Sequence, residues 1–189
     1  MRGFVLGILV TLIALAAGGW FALKKGYVDF SADQKPSVIE TDLAMAAVDV
    51  STERRAPERK NPVAPTEENV AAGAKLYLDH CAGCHGVPSN PDSEFSRSFN
   101  PPVPGFFKDA PDMPENQNFY VIQHGIRWTG MPAWSHILSD TQIWQVVAFL
   151  ANIEKLPPAA QKVLGPQEAA APAPMPKGMR MDHSDQKKD

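Results

Sequence analysis

The first pattern along the chain is an uninterrupted apolar run near the N-terminus. Gly3 to Leu23 holds 21 uncharged residues between Arg2 and Lys24. As a helix this run would extend ~32 Å, enough to cross a hydrocarbon core of about 30 Å. The sequence therefore predicts a transmembrane anchor in residues 1–25. A cleaved signal peptide is the alternative, because Ala14-Leu15-Ala16 offers a cleavage site, although the apolar run continues well past it.

Residues 26–65 show no strong long-range pattern, and we expect a spacer there. One stretch, Val38 to Arg55, mixes apolar and acidic positions and is compatible with a single amphipathic helix. A solvated segment without regular structure is the alternative for the same stretch.

Three helices are predicted in residues 66–156, where apolar positions recur with helical spacing. The first follows Thr66, a favourable N-cap residue. The second fits Glu115 to His124. The third begins at a capping box headed by Ser139, and the prolines from Pro157 onward end it. No alternating strand pattern interrupts the long loops between these helices, so the expected fold class is all-α.

Residues 157–189 are rich in alanine and proline and then in charge, and we expect them to be disordered. The chain has 18 prolines in 189 residues, roughly twice the ~5% average, which also favours linker segments. Methionine sulfur and imidazole are ligands for copper. A speculative copper site therefore comprises Met175, Met179, Met181 and His183, and incidental methionines in a disordered tail are the alternative.

The charge of the chain limits its partners. The formal net charge is −3, which argues against nucleic acid as a partner. Residues 66–156 hold five Lys and Arg against ten Asp and Glu, a local net charge of −5. An acidic head predicts a partner with a basic docking surface, and well-solvated carboxylates without a partner are the alternative.

Both cysteines lie in one motif, Cys81-Ala82-Gly83-Cys84-His85, which matches the C-x-x-C-H attachment signature of a c-type haem. Two thiols three residues apart on a turn can each bond one vinyl group of the same porphyrin, and the next residue then offers its imidazole to the iron. A zinc site would need further ligands. A thioredoxin-like dithiol would need a βαβ context, and a structural disulfide would not explain the histidine.

A histidine-bound haem iron has a sixth position to fill. The downstream candidates are Met113, His124, Met131 and His136. Met131 is favoured because a preceding glycine lets the backbone approach closely and a following proline stiffens the loop. A thioether ligand opposite histidine raises the reduction potential relative to two histidines.

The motif around Cys81, the Gly-Met-Pro around Met131 and an amphipathic last helix, in this order, resemble a class I c-type cytochrome. The stretch from His124 to Pro132 is similar to that of bacterial membrane-anchored monohaem cytochromes. The resemblance implies three main helices and long loops around one covalent haem c.

The resemblance also assigns roles to other residues. Gly73 and Tyr77 look like the glycine and aromatic residue at which the first helix of such a domain crosses the last, opposite Val146 and Phe149. Pro104 looks like the proline whose carbonyl accepts a hydrogen bond from Nδ1 of His85. Family resemblance further implies that the haem domain lies outside the cytoplasmic membrane, on the periplasmic side, with the N-terminus inside.

The function expected from the sequence is that of a one-electron carrier between membrane or periplasmic redox partners. With both axial positions filled and no catalytic constellation evident, neither enzyme activity nor a small-molecule substrate is expected. The alternative is the haem-bearing subunit through which electrons enter a larger membrane dehydrogenase or oxidase. A sensor in which a small ligand displaces Met131 is the third possibility.

Overall fold

Helices form the regular structure of residues 2–165, which are the residues that the computed structural model describes. Within that range no strand occurs, and the only β-type pairing is an isolated bridge between Val87 and Asn90. The all-α prediction is confirmed.

The chain divides into two compact units between Pro36 and Ser37. The speculative copper ligands lie outside the described residues: Met175, Met179, Met181 and His183.

The first unit is dominated by helix α1, Arg2–Lys24, whose 23 residues are long and apolar enough to span a bilayer. A stretch of 18 residues within α1 has a mean hydropathy of 2.3, and none of that stretch is buried within the protein. A helix that is apolar on all sides and finds no protein to pack against is suited to lipid. α1 is therefore a candidate membrane anchor.

The second unit begins with helix α2, Val38–Arg55, at the position where the sequence allowed one. Ser37 and Glu40 form a capping box at its start. Most of α2 is exposed, but Thr52 and the following Ala56 are buried. The C-terminal end of α2 is thus attached to the rest of the unit.

The chain between α2 and residue 66 also packs on the helical head. The Asn61 Nδ2 donates to the carbonyl of Trp144 (3.1 Å), and the Asn116 Nδ2 donates to the carbonyl of Pro57 (3.1 Å). The Arg59 guanidinium lies 5.7 Å from the Trp144 ring centroid. The prediction of a spacer up to residue 65 is therefore wrong for its second part, because these side chains find partners distant in sequence.

Three helices form the centre of the second unit: α3 (Glu67–His80), α6 (Glu115–His124) and α7 (Asp140–Ala151). Two shorter helices lie between α3 and α6, namely α4 (Ala82–His85) and α5 (Glu94–Arg97). The predicted caps are confirmed, since Thr66 accepts from the backbone at the start of α3 and Ser139 forms a capping box at the start of α7.

α3 and α7 cross with their backbones in close contact at Gly73. A Cβ added to Gly73 would lie 2.0 Å from the carbonyl oxygen of Gln145 and 2.9 Å from Cβ of Phe149. One turn further, the rings of Tyr77 and Phe149 are 5.0 Å apart. The predicted crossing of first and last core helices is confirmed, and it sets where α3 ends relative to α7.

A further helix, α8 (Pro158–Leu164), corrects the expectation that the chain is disordered from residue 157. It packs on α3 with Ala160 and Leu164 fully buried, and the Ala159 backbone N–H donates to the Glu67 carboxylate (2.9 Å). α7 has already ended at Ala151, so the prolines do not end it. Proline suits the first turn of a helix because an N–H there needs no helical partner.

The packing of α8 leads to a testable expectation. A chain that ends at residue 156 should lose about 3 kcal/mol or more of unfolding free energy, because it exposes the surface of α3 that Leu164 and Ala160 cover. A chain that ends at residue 165 keeps α8 and serves as the matched control. Thermal melts followed by circular dichroism would compare the two, and equal melting temperatures would contradict this assignment of α8.

Candidate haem site

The C-x-x-C-H motif lies where α3 passes into α4. The backbone N–H of Cys81 donates to the carbonyl of Tyr77 (2.8 Å), and the Cys81 carbonyl accepts from Cys84 (3.0 Å) and His85 (2.8 Å). One helical turn therefore holds both thiols and the imidazole. Cys81 is buried, whereas Cys84 and His85 are half-buried.

Neither thiol is activated. Burial raises the pKa of Cys81 to about 12, with a contribution from the neighbouring Cys84, and burial also raises the pKa of Cys84. Both thiols are then protonated at neutral pH, whereas a redox dithiol depends on a thiolate. No cluster of three or more His, Cys, Asp or Glu suited to a metal ion occurs in residues 2–165. The thioredoxin-like and zinc alternatives are disfavoured.

The His85 ring is fixed in one orientation. Its Nδ1 lies 2.9 Å from the carbonyl oxygen of Pro104, the contact implied by the family resemblance, and the ring stacks on Phe106 with centroids 4.2 Å apart. A carbonyl can only accept, so Nδ1 carries the proton and Nε2 keeps its lone pair. Burial lowers the pKa of His85, which keeps the ring neutral. This is the form in which imidazole binds a metal.

Two hydrogen bonds that sequence reasoning missed hold the motif in place. The hydroxyl of buried Ser96 donates to the carbonyl of Cys84 (2.6 Å), and the Tyr77 hydroxyl donates to the carbonyl of Gly86 (2.8 Å). Ser96 itself lies in α5, which Ser93 caps by accepting from the Ser96 N–H (3.0 Å). The capping serine is a sequence signal for α5, but nothing local indicates that this turn contacts the motif.

The loop around Met131 is closed by its own hydrogen bonds. The Ile126 N–H donates to the Met131 carbonyl (3.1 Å), and the Met131 N–H donates to the Thr129 hydroxyl oxygen (3.1 Å), whose proton goes to the Ile126 carbonyl (2.8 Å). Gly125 has φ +67°, and a Cβ there would lie 2.6 Å from the Met131 carbonyl oxygen. The backbone position of Met131 is therefore well defined.

The four candidates for the sixth ligand differ in their surroundings. Met131 is half-buried and packs against the hydrophobic core of the described chain. Met113 is half-buried but does not belong to that packing. His124 and His136 are exposed. These surroundings favour Met131, because an axial thioether must be held in an apolar site beside the porphyrin.

Two contacts place the segment around Met131 beside the start of the C-x-x-C-H turn and beside the chain that follows α5. The ring of His80, the residue before Cys81, lies 5.3 Å from that of Trp134. Gly130 approaches Phe99 so closely that a Cβ would be 2.5 Å from its ring. The two thiols, a neutral imidazole and a thioether thus occur in adjacent loops, and this set of donors fits a haem.

Comparison with known proteins supports the same cofactor. A protein-family model described as "Cytochrome C oxidase, cbb3-type, subunit III" matches residues 68–150. A search of curated proteins gives no match. The matched range includes the C-x-x-C-H motif, α6, Met131 and most of α7. Residues 68–150 therefore form a class I c-type cytochrome domain that binds haem c covalently and serves electron transfer in a respiratory chain.

Proposed function

We propose that this protein carries single electrons through one haem c attached to Cys81 and Cys84, with His85 and Met131 as axial ligands. The bound haem iron supplies the chemistry, a one-electron exchange between Fe(III) and Fe(II). The observation that carries the proposal is the hydrogen bond from His85 Nδ1 to Pro104, which leaves Nε2 as the only ring atom able to bind iron.

The remaining residues orient the ligands and exclude water. Pro104 and Phe106 hold the imidazole, and the hydrogen bonds of Thr129 hold the backbone of Met131. If both ligands are held firmly, fast electron exchange would be favoured over substrate binding, because His85 and Met131 would take the places at which a substrate could bind the iron. A thioether opposite imidazole also favours the ferrous state. We therefore propose a carrier without an enzymatic activity of its own.

The identity of the sixth ligand can be tested by substitution. Met131→Ala should abolish the weak red absorbance that methionine-bound ferric haem shows, because that band arises from sulfur-to-iron charge transfer. Met113→Ala is the matched control and should retain the band. Visible spectra of the two ferric variants decide the assignment, and loss of the band in the Met113 variant alone would assign the ligand to the other loop.

We further propose that α1 stays attached and anchors the head on the periplasmic side of the cytoplasmic membrane. The uninterrupted apolar length of α1 supports this. Mass spectrometry of the mature chain should therefore find α1 intact, and detergent should be needed to release the protein. A mature chain beginning at Ala17 would show instead that α1 is a signal peptide.

The partners proposed are redox proteins, and the acidic charge of residues 66–156 favours a basic docking surface on at least one of them. A second candidate function is that of a haem-bearing subunit in a membrane oxidase, which the description of the matching family favours. Purification of the tagged full chain from gently solubilised membranes distinguishes the two. A stable stoichiometric complex supports the subunit, whereas a chain recovered alone supports the carrier.

A further inference from the structure

Trp128 combines two features that are costly for a folded protein. Its side chain is 93% exposed, the most exposed large apolar residue in the described chain. Its backbone has φ +61°, and it is the only non-glycine residue with positive φ in residues 2–165. Bulky L-residues are strained there, because Cβ approaches the neighbouring carbonyl oxygen. At this exposure the indole buries little surface against the described chain.

The strain is imposed by the turn that leads to Met131. The Thr129 N–H donates to the Ile126 carbonyl (3.3 Å), so Trp128 occupies the third position of a four-residue turn. A turn with positive φ at this position ordinarily has glycine or asparagine there. Strained residues persist where the surrounding structure holds them and where they contribute to function. The turn thus presents an indole to solvent three residues from the proposed axial ligand.

The chain around Trp128 differs in charge from the rest of the domain. Residues 116–139 contain no Asp or Glu, and Arg127 is their only Lys or Arg, whereas residues 66–156 as a whole have a net charge of −5. This segment is therefore nearly uncharged rather than acidic. Tryptophan surrounded by weakly charged surface is typical of the central anchor of a protein interface.

We propose that Trp128 is the anchor residue by which this domain docks on its protein redox partner, inserting the indole into an apolar recess of that partner. The inference rests on the proposed function, because docking here is useful only if Met131 binds the iron. A lipid surface is the less favoured occupant, because it accepts no electron and because Arg127 alone gives little attraction to anionic lipid.

The kinetic test uses the full chain in native membranes that lack the endogenous copy. Trp128→Gly removes the indole and suits the positive φ, so its unfolding midpoint should equal or exceed that of the unchanged protein. Its haem should be oxidised by the membrane respiratory chain about tenfold more slowly or worse, as loss of an interface tryptophan predicts. Trp128→Phe keeps an aromatic anchor and should retain most of the rate.

Two further measurements on the variant distinguish a failure of the docking role from a failure of the proposed haem ligation. Oxidation by the small reagent ferricyanide and the red charge-transfer band should both be unchanged in Trp128→Gly. A variant that keeps the band and the full membrane rate would overturn the docking role alone. Loss of rate with the small reagent as well would also overturn it, since the defect would then lie at the haem.

Chemical modification of tryptophan tests the docking role without relying on electron transfer. N-bromosuccinimide should oxidise Trp128 in the full chain reconstituted into pure lipid vesicles, and native membranes should protect it. Mass spectrometry locates the modification, and buried Trp144, 1% exposed, is the internal control. Protection in pure lipid would assign Trp128 to the membrane and overturn the proposal, as would equal oxidation in both preparations.

Discussion

Gly73→Val is expected to prevent stable folding of the cytochrome domain. A Cβ at this position would lie 2.0 Å from the backbone oxygen of Gln145, and backbone cannot rotate away as a side chain can. α3 and α7 would have to separate along their whole contact, which includes Tyr77 and Phe149. Overpacking of this kind costs about 3 kcal/mol or more, a large part of the ~5–15 kcal/mol that stabilises a domain.

The matched control is Gly19→Val in α1, because no atom lies within 4 Å of a Cβ added there. Gly19 is exposed and helical, so valine should be tolerated. The yield of haem-bearing protein and thermal melts at the helical circular-dichroism band measure both variants. A Gly73 variant that melts within a few degrees of the unchanged protein would contradict the close crossing of the two helices.

Met131→His is expected to lower the reduction potential by on the order of 0.1 V or more, within the ~0.8 V over which axial ligands tune haem. The thioether is a soft, neutral ligand that favours Fe(II), whereas imidazole donates more strongly and stabilises Fe(III). Met131 is half-buried against the core, so a histidine at this position would be held where the thioether is now. Potentiometric titration of the full chain in detergent measures the change.

Met113→His is the control for this prediction, because Met113 does not pack against the core. Its potential should remain close to that of the unchanged protein. A fall in potential with Met113→His and none with Met131→His would mean that the loop before α6 supplies the ligand. A fall in neither variant would mean that the sixth ligand comes from elsewhere.

Local chemistry explains which features the sequence alone predicted. The C-x-x-C-H spacing predicts covalent haem because its two thiols and its imidazole could together hold a porphyrin and its iron. Helices α3 and α7 were predictable at their starts because Thr66 and Ser139 cap the backbone within the next three residues. The length of α1 follows from an apolar run with no interruption.

Features that depend on distant partners were decided by the tertiary structure. The Ala/Pro composition from residue 157 indicates disorder, yet α8 forms because α3 offers an apolar surface to Ala160 and Leu164. The segment before residue 66 resembles a spacer, yet Asn61 finds the Trp144 carbonyl 83 residues away. Burial against a remote element contributes more to stability than local propensity, and that burial is absent from any short window of sequence.

The haem site shows the same distinction between features set by local sequence and features set by distant partners. The sequence by itself predicted the two attachment thiols, His85 as the proximal ligand and a short set of candidates for the sixth ligand. Only the tertiary structure placed Met131 against the core, left His124 and His136 exposed, and brought Ser96 to the Cys84 carbonyl. Residue type fixes what a side chain can bind, whereas the packing of α3, α6 and α7 fixes which side chains meet.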